Sequence, residues 1–261
     1  LIFVYVASAL NRTEVRDLAR PSDVVIESTE LTPDLAARHG CDLVYCPFGI
    51  TDLACPGIPT ITLVVDLLHR DFPSTLPDPD RIYREQKFAA ATQATDRFQV
   101  ISDHTAKRLQ ANYTLSADQI FRTYLPVHSR LTSLNGASAS PEISGPFFFF
   151  PAKFWLHKNH HTLLHAYALY RRASPGNGWP LVFSGHTDKK REVELRSTAR
   201  SLGVEAHVVF AGYVADNRLA AFYRSAGALV FPSLHEGFGI PLVEAMAFGL
   251  PIVAGDATAI P

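Results

Sequence analysis

The stretch ALVFPSLHEGFGIPLVEAMAFGLPIVA, residues 228–254, contains two apolar runs with a helix-like segment between them. The runs Ala228–Phe231 and Ile252–Ala254 are short and bounded by Gly or Pro, which is typical of buried strands. Between them, Pro241–Phe248 has helical spacing, and Pro241 suits the first helical position because its missing N–H is not needed there. The stretch therefore predicts a strand, a loop, a helix and a second strand.

The same alternation extends through the second half of the chain. It predicts strands at Phe147–Phe150, Leu181–Phe183, Val208–Phe210, Ala228–Phe231 and Ile252–Ala254. It predicts helices at Asn159–Arg172, Asp188–Leu202, Asp216–Ser225 and Pro241–Phe248. Nearly continuous apolar strands that alternate with amphipathic helices are typical of a parallel sheet covered on both faces. We therefore expect a doubly wound, Rossmann-like unit.

The first half repeats this pattern less regularly. Its strand candidates are Ile2–Val6, Val24–Glu27, Leu43–Tyr45, Thr60–Val65, Phe98–Ile101 and Phe121–Tyr124. Its helix candidates are Asp80–Thr95 and Asp103–Ala111, the second with Ser102 or Asp103 as N-cap. The fold class predicted is α/β, with two Rossmann-like domains that face a cleft between the carboxyl ends of their strands.

The domain boundaries follow from composition. Residues 132–146 are rich in Ser, Gly, Ala and Pro, which suits a flexible linker. We place the N-terminal domain at 1–131 and the C-terminal domain at 147–261. The chain begins within an apparent strand at Leu1, and its single methionine is Met246, so we expect both domains to be incomplete.

Charge and cysteine content restrict the function classes. The formal net charge is −1, from 24 Lys and Arg against 25 Asp and Glu, which argues against a nucleic-acid-binding protein. No apolar run reaches the roughly 18 residues of a transmembrane helix, and no signal peptide is visible. Cys41, Cys46 and Cys55 lack CxxC spacing, so we expect reduced, buried thiols in a cytoplasmic protein rather than a zinc site.

Two acids flank a glycine turn in the opening stretch. Glu236 and Glu244 lie on either side of Gly237, Phe238 and Gly239, directly before and within the predicted helix. Backbone amides at a helix N-terminus favour phosphate, whereas carboxylates repel it and accept hydrogen bonds from hydroxyls. A nucleotide sugar has hydroxyls on both sides of a diphosphate and fits this pattern. The alternative is that Glu244 only complements the helix dipole while Glu236 is solvated.

A basic segment, KFWLHKNHH, follows the first predicted strand of the C-terminal domain. Lys153 and Lys158 lie at the strand end and just before a helix, where two cations can neutralise a diphosphate leaving group without a metal. A zinc site at His157, His160 and His161 is the weaker alternative, because adjacent histidines on a helix cannot all face one point.

One acidic motif resembles a metal site but has another explanation. Asp78 and Asp80 form an Asp-x-Asp pattern within the proline-rich segment PSTLPDPD, directly before a predicted helix. We expect Asp80 to be the N-cap of that helix rather than a metal ligand.

These segments together resemble the group 1, family-4-like retaining glycosyltransferases of the GT-B fold. The E-x7-E motif of that family is matched by Glu236 and Glu244 in HEGFGIPLVEAMAFGLPIV, and its basic pair by Lys153 and Lys158 in FPAKFWLHKNH. VVDLLHRDFP and FQVISDHTAKRL are also similar to that family. Many relatives have Arg in place of Lys153, so the charge is kept but the bidentate fork is lost.

The resemblance implies a role for each matched residue. Glu236 would contact the hydroxyls of the donor sugar and Glu244 the ribose, with the amides of the glycine turn beside the sugar and phosphates. Lys153 and Lys158 would bind the diphosphate and stabilise the departing nucleoside diphosphate. Gly185 would line the nucleotide pocket.

Further positions come from the same comparison with the family. Tyr213 and Val214 would line the nucleotide pocket next to Gly185. Val65 stands where many relatives have the histidine of a His-Asp pair, so the acceptor side is assigned to Asp66 or His69. The glycine-rich loop near the family's N-terminus and its C-terminal crossing helix are absent from this sequence.

The function implied is transfer of a hexose from a nucleoside-diphosphate sugar to a hydroxyl of a glycan or a lipid-linked saccharide, in polysaccharide biosynthesis. It would proceed with retention and without a metal or cofactor. A lipid-linked acceptor implies peripheral contact with the inner face of a membrane. The alternatives are a nucleotide-sugar epimerase of the same fold and a non-catalytic fragment that binds nucleotide or glycan.

Overall fold

The computed structural model describes residues 2–6, 20–28, 32–49, 51–126, 129–134, 143–186 and 189–261. The chain forms two compact units: residues 1–67 with 78–123, and residues 68–77 with 124–261. Part of the predicted linker, residues 135–142, lies outside the described residues, and the predicted boundary there stays a prediction. Within the ranges given, no helix is both long enough and apolar enough to span a bilayer.

The secondary structure alternates strands with helices along the chain. The strands are β1 (Ile2–Val6), β2 (Val24–Ser28), β3 (Val44–Cys46), β4 (Thr60–Val64), β5 (Arg97–Val100), β6 (Ile120–Arg122), β7 (Phe148–Pro151), β8 (Leu181–Ser184), β9 (Val208–Phe210), β10 (Ala228–Phe231) and β11 (Ile252–Ala254). The helices are α1 (Leu35–Arg38), α2 (Leu68–Asp71), α3 (Asp78–Ala94), α4 (Asp103–Asn112), α5 (Ser129–Thr132), α6 (His160–Ala173), α7 (Lys189–Ser201), α8 (Asp216–Ser225) and α9 (Ile240–Ala247).

The first unit contains two parallel sheets. β1 pairs with β2, and β3, β4, β5 and β6 form a four-stranded sheet in that order. The core beside the larger sheet is apolar and includes Val64, Phe88, Phe98, Val100 and Leu109. The strands and helices predicted for the first half of the chain are confirmed. The short helices α1, α2 and α5 were not predicted, and of these α2 and α5 lie in the second unit.

The starts of the helices in the first unit follow from capping. Ser102 precedes α4 as predicted, and its side chain accepts a hydrogen bond from the Thr105 N–H. The prediction that Asp80 caps α3 is wrong, because the helix begins at Asp78 and Asp80 lies inside its first turn. Pro79 at the second helical position does not interrupt the helix, since the first N–H groups of a helix have no intrahelical partner.

The second unit is built on one five-stranded parallel sheet in the order β11-β10-β7-β8-β9. Its core is dominated by aromatic side chains, among them Phe147, Phe149, Phe150, Phe183, Phe222 and Phe231. All five strands and four helices predicted for this half are confirmed, with ends displaced by at most two residues. This agreement reflects short apolar strands that are buried on both faces and punctuated by Gly or Pro.

The strand order creates a switch point at β7. The chain runs outward through β8 and β9 on one side of β7, then returns through β10 and β11 on the other. β10 pairs directly with β7, with Ala228 opposite Phe148 and Leu229 opposite Phe149. Ligands of open α/β sheets bind outside the carboxyl ends of the strands at such a point.

Candidate active site

The loops that leave β7 and β10 carry the two predicted charged groups, and the fold brings them together. Nζ of Lys158 lies 2.6 Å from Oε1 of Glu236, and both side chains are largely buried. Their separation of 78 residues in sequence means that the contact depends on the pairing of β7 with β10. The site therefore contains a short ion pair in low-dielectric surroundings, where charge–charge interactions are strong.

Two hydrogen bonds to backbone carbonyls hold the same loops together. The Leu234 N–H donates to the His157 carbonyl at 2.8 Å, and Nδ2 of Asn159 donates to the Pro232 carbonyl at 3.1 Å. Together with the ion pair, these two hydrogen bonds connect the loops at three points. The relative position of the ammonium and the carboxylate is therefore fixed by the backbone as well as by their own contact.

Asn159 has a left-handed backbone, with φ of 62°, immediately before α6 begins at His160. Asn tolerates this conformation better than most residues. Its Oδ1 also accepts a hydrogen bond from Oγ1 of Thr162 at 2.7 Å. The sequence placed Asn159 or His160 at the helix start but missed the amide contact to the β10 loop, although an Asn directly before a helical run is a usable signal.

Lys153 lies two residues after the end of β7 and is exposed. Its Nζ lies 4.7 Å from the centre of the Trp155 ring, a cation–π contact, and the Trp155 side chain is itself exposed. The two predicted cations thus differ: Lys158 is held by a carboxylate, whereas Lys153 rests on an aromatic face.

Gly185 ends β8 at the same edge of the sheet, where only glycine fits. Its φ is 140°, and a Cβ atom there would lie 2.3 Å from the Ala152 carbonyl oxygen and 2.9 Å from the Lys153 nitrogen. Its N–H donates to the Gly212 carbonyl at 2.8 Å. Gly185 therefore lets the backbone that carries Lys153 pack closely against the neighbouring strand.

Tyr213 and Val214, the two residues after Gly212, differ in exposure. Tyr213 is 76% exposed, and its ring centre is 6.3 Å from that of His186, whereas Val214 is buried and belongs to the core. Of the two predicted pocket residues, Tyr213 thus has the surface that a ligand could contact.

The glycine turn leads directly into α9. Gly239 has a φ of 90° and is the residue before the helix, and a Cβ atom there would lie 2.9 Å from Cδ1 of Leu242. The first amides of α9 and its positive dipole end are thus next to the loop that carries Glu236, as predicted. The ring of Phe238 lies 6.3 Å from that of Tyr124 in the same unit.

Glu244 is a buried carboxylate in the second turn of α9 rather than a surface residue that complements the dipole. It is 9% exposed, and its Oε2 accepts a hydrogen bond from the Tyr223 hydroxyl at 2.8 Å. The pKa of Tyr223 is raised far above its usual range, mainly because the hydroxyl is buried and secondly because of the negative charge of Glu244. Tyr223 therefore stays protonated, and its hydroxyl continues to donate to Glu244. No sequence pattern indicates this contact.

The backbone of Glu236 is held by a residue that the sequence analysis did not single out. Its N–H donates to Oγ1 of Thr258 at 2.9 Å, and the same hydroxyl donates to the Glu236 carbonyl at 3.3 Å. Thr258 lies in the loop after β11, which pairs with β10. His235, the residue directly before Glu236, is buried. Its Nδ1 lies 3.6 Å from Oδ2 of Asp71.

The predicted acceptor-side residues belong to different units. Asp66 lies in the first unit, where its Oδ1 is 3.5 Å from Nη1 of Arg84. His69 lies in α2 of the second unit and is buried. Their assignment to the acceptor stays a prediction.

Two of the three histidines near Lys158, His160 and His161, have different environments. His160 is fully buried among the rings of Phe150, Phe154 and Phe183, and burial lowers its pKa to about 3. Nε2 of His161 instead lies 3.0 Å from Nη1 of Arg191. His160 is therefore a neutral core residue, whereas His161 contacts a guanidinium group, and the expectation that these histidines do not bind zinc stays a prediction.

Comparison with known proteins finds a family match in the second half of the chain. Residues 139–261 match the family described as glycosyl transferases group 1. O-antigen chain mannosyltransferase B of Escherichia coli is 27% identical over 189 residues, which are 70% of this chain and 49% of that protein. O-antigen chain mannosyltransferase RfbU of Salmonella typhimurium is 28% identical over 222 residues, which are 82% and 58% of the two chains. The chain thus spans about half the length of these curated relatives.

Solved structures agree on the fold. Anabaena Alr3699/HepE in complex with UDP and glucose has a TM-score of 0.70 and 17% identity, and the match covers 95% of this chain and 71% of that one. WaaG, a glycosyltransferase involved in lipopolysaccharide biosynthesis, has a TM-score of 0.65 and 16% identity, with 93% and 71% covered. Residues 139–261, just under half of the chain, thus match the group 1 glycosyltransferases, and the chain has the GT-B fold.

Proposed function

We propose that the protein transfers a hexose from a nucleoside-diphosphate sugar to a hydroxyl of a glycan or lipid-linked acceptor. The observation that carries this proposal is the buried Lys158–Glu236 pair at the switch point of the C-terminal sheet, beside the N-terminus of α9. The match of residues 139–261 to the group 1 glycosyltransferases supports the reaction class. The names of the two curated relatives, both O-antigen mannosyltransferases, favour mannose as the first sugar to test and polysaccharide biosynthesis as the setting.

The diphosphate would bind to the cationic part of the site. Lys158 and Lys153 supply two positive charges, and the amides at the start of α9 supply donors at the positive end of the helix dipole. Charge develops on the leaving phosphate as its bond to the sugar breaks, so these groups act where stabilisation is most effective. The HepE structure, which holds UDP and glucose, is consistent with such a ligand.

The hydroxyls of the donor would bind to the two acids. Glu236 would accept hydrogen bonds from the sugar and Glu244 from the ribose, with Tyr223 keeping the Glu244 carboxylate oriented. A site built to pair hydroxyls rejects ligands that lack them, because its buried polar groups would be left unpaired. The pair of acids would therefore select a nucleotide sugar over a simple diphosphate.

The chemistry would be a same-face substitution with retention and without a metal. The bond between the anomeric carbon and the phosphate oxygen breaks, and the acceptor oxygen bonds to the same face of the sugar through an ion-pair-like state. The acceptor proton passes to the departing phosphate oxygen, and a nucleoside diphosphate leaves. With a lipid-linked acceptor, this would occur at the cytoplasmic face of a membrane.

A binding panel followed by a transfer assay tests the proposal. UDP, GDP and ADP and their hexose derivatives are compared by thermal shift with the full-length protein, since a ligand of the folded state raises the melting temperature. We expect one nucleotide series to stand out, and mass spectrometry to detect transfer from its sugar, with the anomeric configuration kept in NMR spectra. Epimerised donor without transfer would instead indicate an epimerase, and binding without turnover a non-catalytic module.

A further inference from the structure

We infer that Thr258 is a positioning residue that sets the orientation of Glu236 towards the donor sugar, an inference that rests on the proposed function. The Thr258 hydroxyl is both acceptor from the Glu236 N–H, at 2.9 Å, and donor to the Glu236 carbonyl, at 3.3 Å. The Thr258 side chain thus holds both backbone polar groups of Glu236, the residue whose carboxylate we assign to the sugar.

The backbone of Thr258 indicates that this contact has a cost. Its φ is 53°, in the left-handed region, where a β-branched residue is a genuine outlier. Such strain persists only where the surrounding structure imposes it, and it concentrates at active sites and ligand-binding loops. The hydroxyl of Thr258 both accepts a hydrogen bond from Glu236 and donates one to it, which is a physical reason for threonine at this position.

A second outlier lies on the other side of the same ion pair. In the described part of the chain, Asn159 and Thr258 are the two residues other than glycine with positive φ. Asn159 directly follows Lys158 and binds the β10 loop, whereas Thr258 binds Glu236 itself. The left-handed conformation at Asn159 therefore lies beside Lys158, which carries the ammonium, and the one at Thr258 lies beside Glu236, which carries the carboxylate.

The Thr258 contact orients the residue proposed to bind the sugar part of the donor, not the groups proposed to bind its diphosphate. Lys158 and the amides of α9 bind diphosphate in the proposed site, and neither is bonded to Thr258 in the structure. Loss of the hydroxyl should therefore misplace the carboxylate that contacts the sugar while leaving the diphosphate contacts intact. A hydroxyl that merely stabilised the fold would affect both halves together.

The experiment compares Thr258→Val, which keeps the shape and β-branching but removes the hydroxyl, with Thr258→Ser, which keeps the hydroxyl. The matched control is Thr198→Val on α7 of the same unit, where the hydroxyl donates to the Glu194 carbonyl at 3.0 Å. In the full-length protein, binding of nucleoside diphosphate and of nucleotide sugar is measured by calorimetry with the series that the panel selects, alongside kcat, KM and melting temperature.

We expect Thr258→Val to lower kcat/KM by about 10- to 100-fold, the scale of a small misplacement of a reacting group. Its affinity for the nucleoside diphosphate should match that of the wild type, and Thr258→Ser should restore transfer. Full activity of Thr258→Val overturns the inference, and so does an equal loss of diphosphate and sugar-nucleotide binding. If the wild type itself binds no nucleotide of the panel, the proposed function fails instead.

Discussion

The Lys158 ammonium and the Glu236 carboxylate, 2.6 Å apart, neutralise each other inside the second unit. A diphosphate that binds Lys158 must therefore compete with Glu236, and its arrival releases the carboxylate for the sugar hydroxyls. Breaking a buried pair by removing one partner is costly, because it leaves the other charge uncompensated. In the proposed complex, the donor replaces both lost contacts at once.

Gly185→Ala should be strongly destabilising because its Cβ atom would lie 2.3 Å from the Ala152 carbonyl oxygen. We expect a loss of about 3 kcal/mol or more in the free energy of unfolding, measured with urea, from the combined steric and conformational cost. The control is Gly203→Ala, at a φ of 72° with nothing within 4 Å of the added Cβ atom, which should cost only about 1 kcal/mol. Equal losses would show that backbone conformation alone requires glycine at 185.

Tyr223→Phe removes the hydroxyl that donates to the buried Glu244 carboxylate. We expect a cost of about 2 kcal/mol in the free energy of unfolding and weaker nucleotide binding, because a charged acceptor loses a partner. Tyr167→Phe is the control, since the Tyr167 hydroxyl donates to the neutral carbonyls of Trp179 and His207. It should cost about 1 kcal/mol and leave nucleotide affinity unchanged. Unchanged affinity in Tyr223→Phe would remove Glu244 and Tyr223 from the proposed site.

His160 should make the fold sensitive to acid. Burial lowers its pKa from 6.5 to about 3, so between these values the unfolded chain binds a proton that the folded chain does not. Stability from this group is fully present above pH 6.5 and is lost as the pH falls towards 3, by about 2 kcal/mol between pH 7 and 5. His160→Leu should flatten the pH dependence of unfolding over that range, measured by urea denaturation at each pH. An unchanged slope in His160→Leu would contradict the assignment.

The sequence predicted the elements of the second unit well because each strand is apolar throughout and ends at Gly or Pro. It did not predict the strand order, since the position of β10 beside β7 depends on pairing between residues about 80 apart. The charged residues of the site were identifiable from their types and their loops. Their contact with each other was not, because Lys158 and Glu236 meet only after the sheet has formed.

Supporting residues were harder to predict than charged ones. Tyr223 and Thr258 act through single hydroxyls, and neither position has a sequence pattern that distinguishes it from an ordinary core or loop residue. Asp80 was misplaced because an acid before a helical run suits an N-cap and equally a first turn, and the run extends back to Asp78. His160 was uncertain because the rings that bury it come from two separate segments, one with Phe150 and Phe154 and the other with Phe183.

The most direct test of the proposed site is calorimetric binding of the nucleoside diphosphate and of its sugar to wild type, Lys158→Met and Glu236→Gln. Lys158→Met should weaken both ligands. Glu236→Gln should bind the diphosphate at least as tightly as the wild type, because Lys158 no longer has a competing carboxylate, while its preference for the sugar nucleotide is lost. Lys87→Met, which removes an exposed pair with Asp52 in the first unit, serves as the control and should change neither affinity. If Glu236→Gln weakened diphosphate binding as much as Lys158→Met, the division of the donor between these two residues would be wrong.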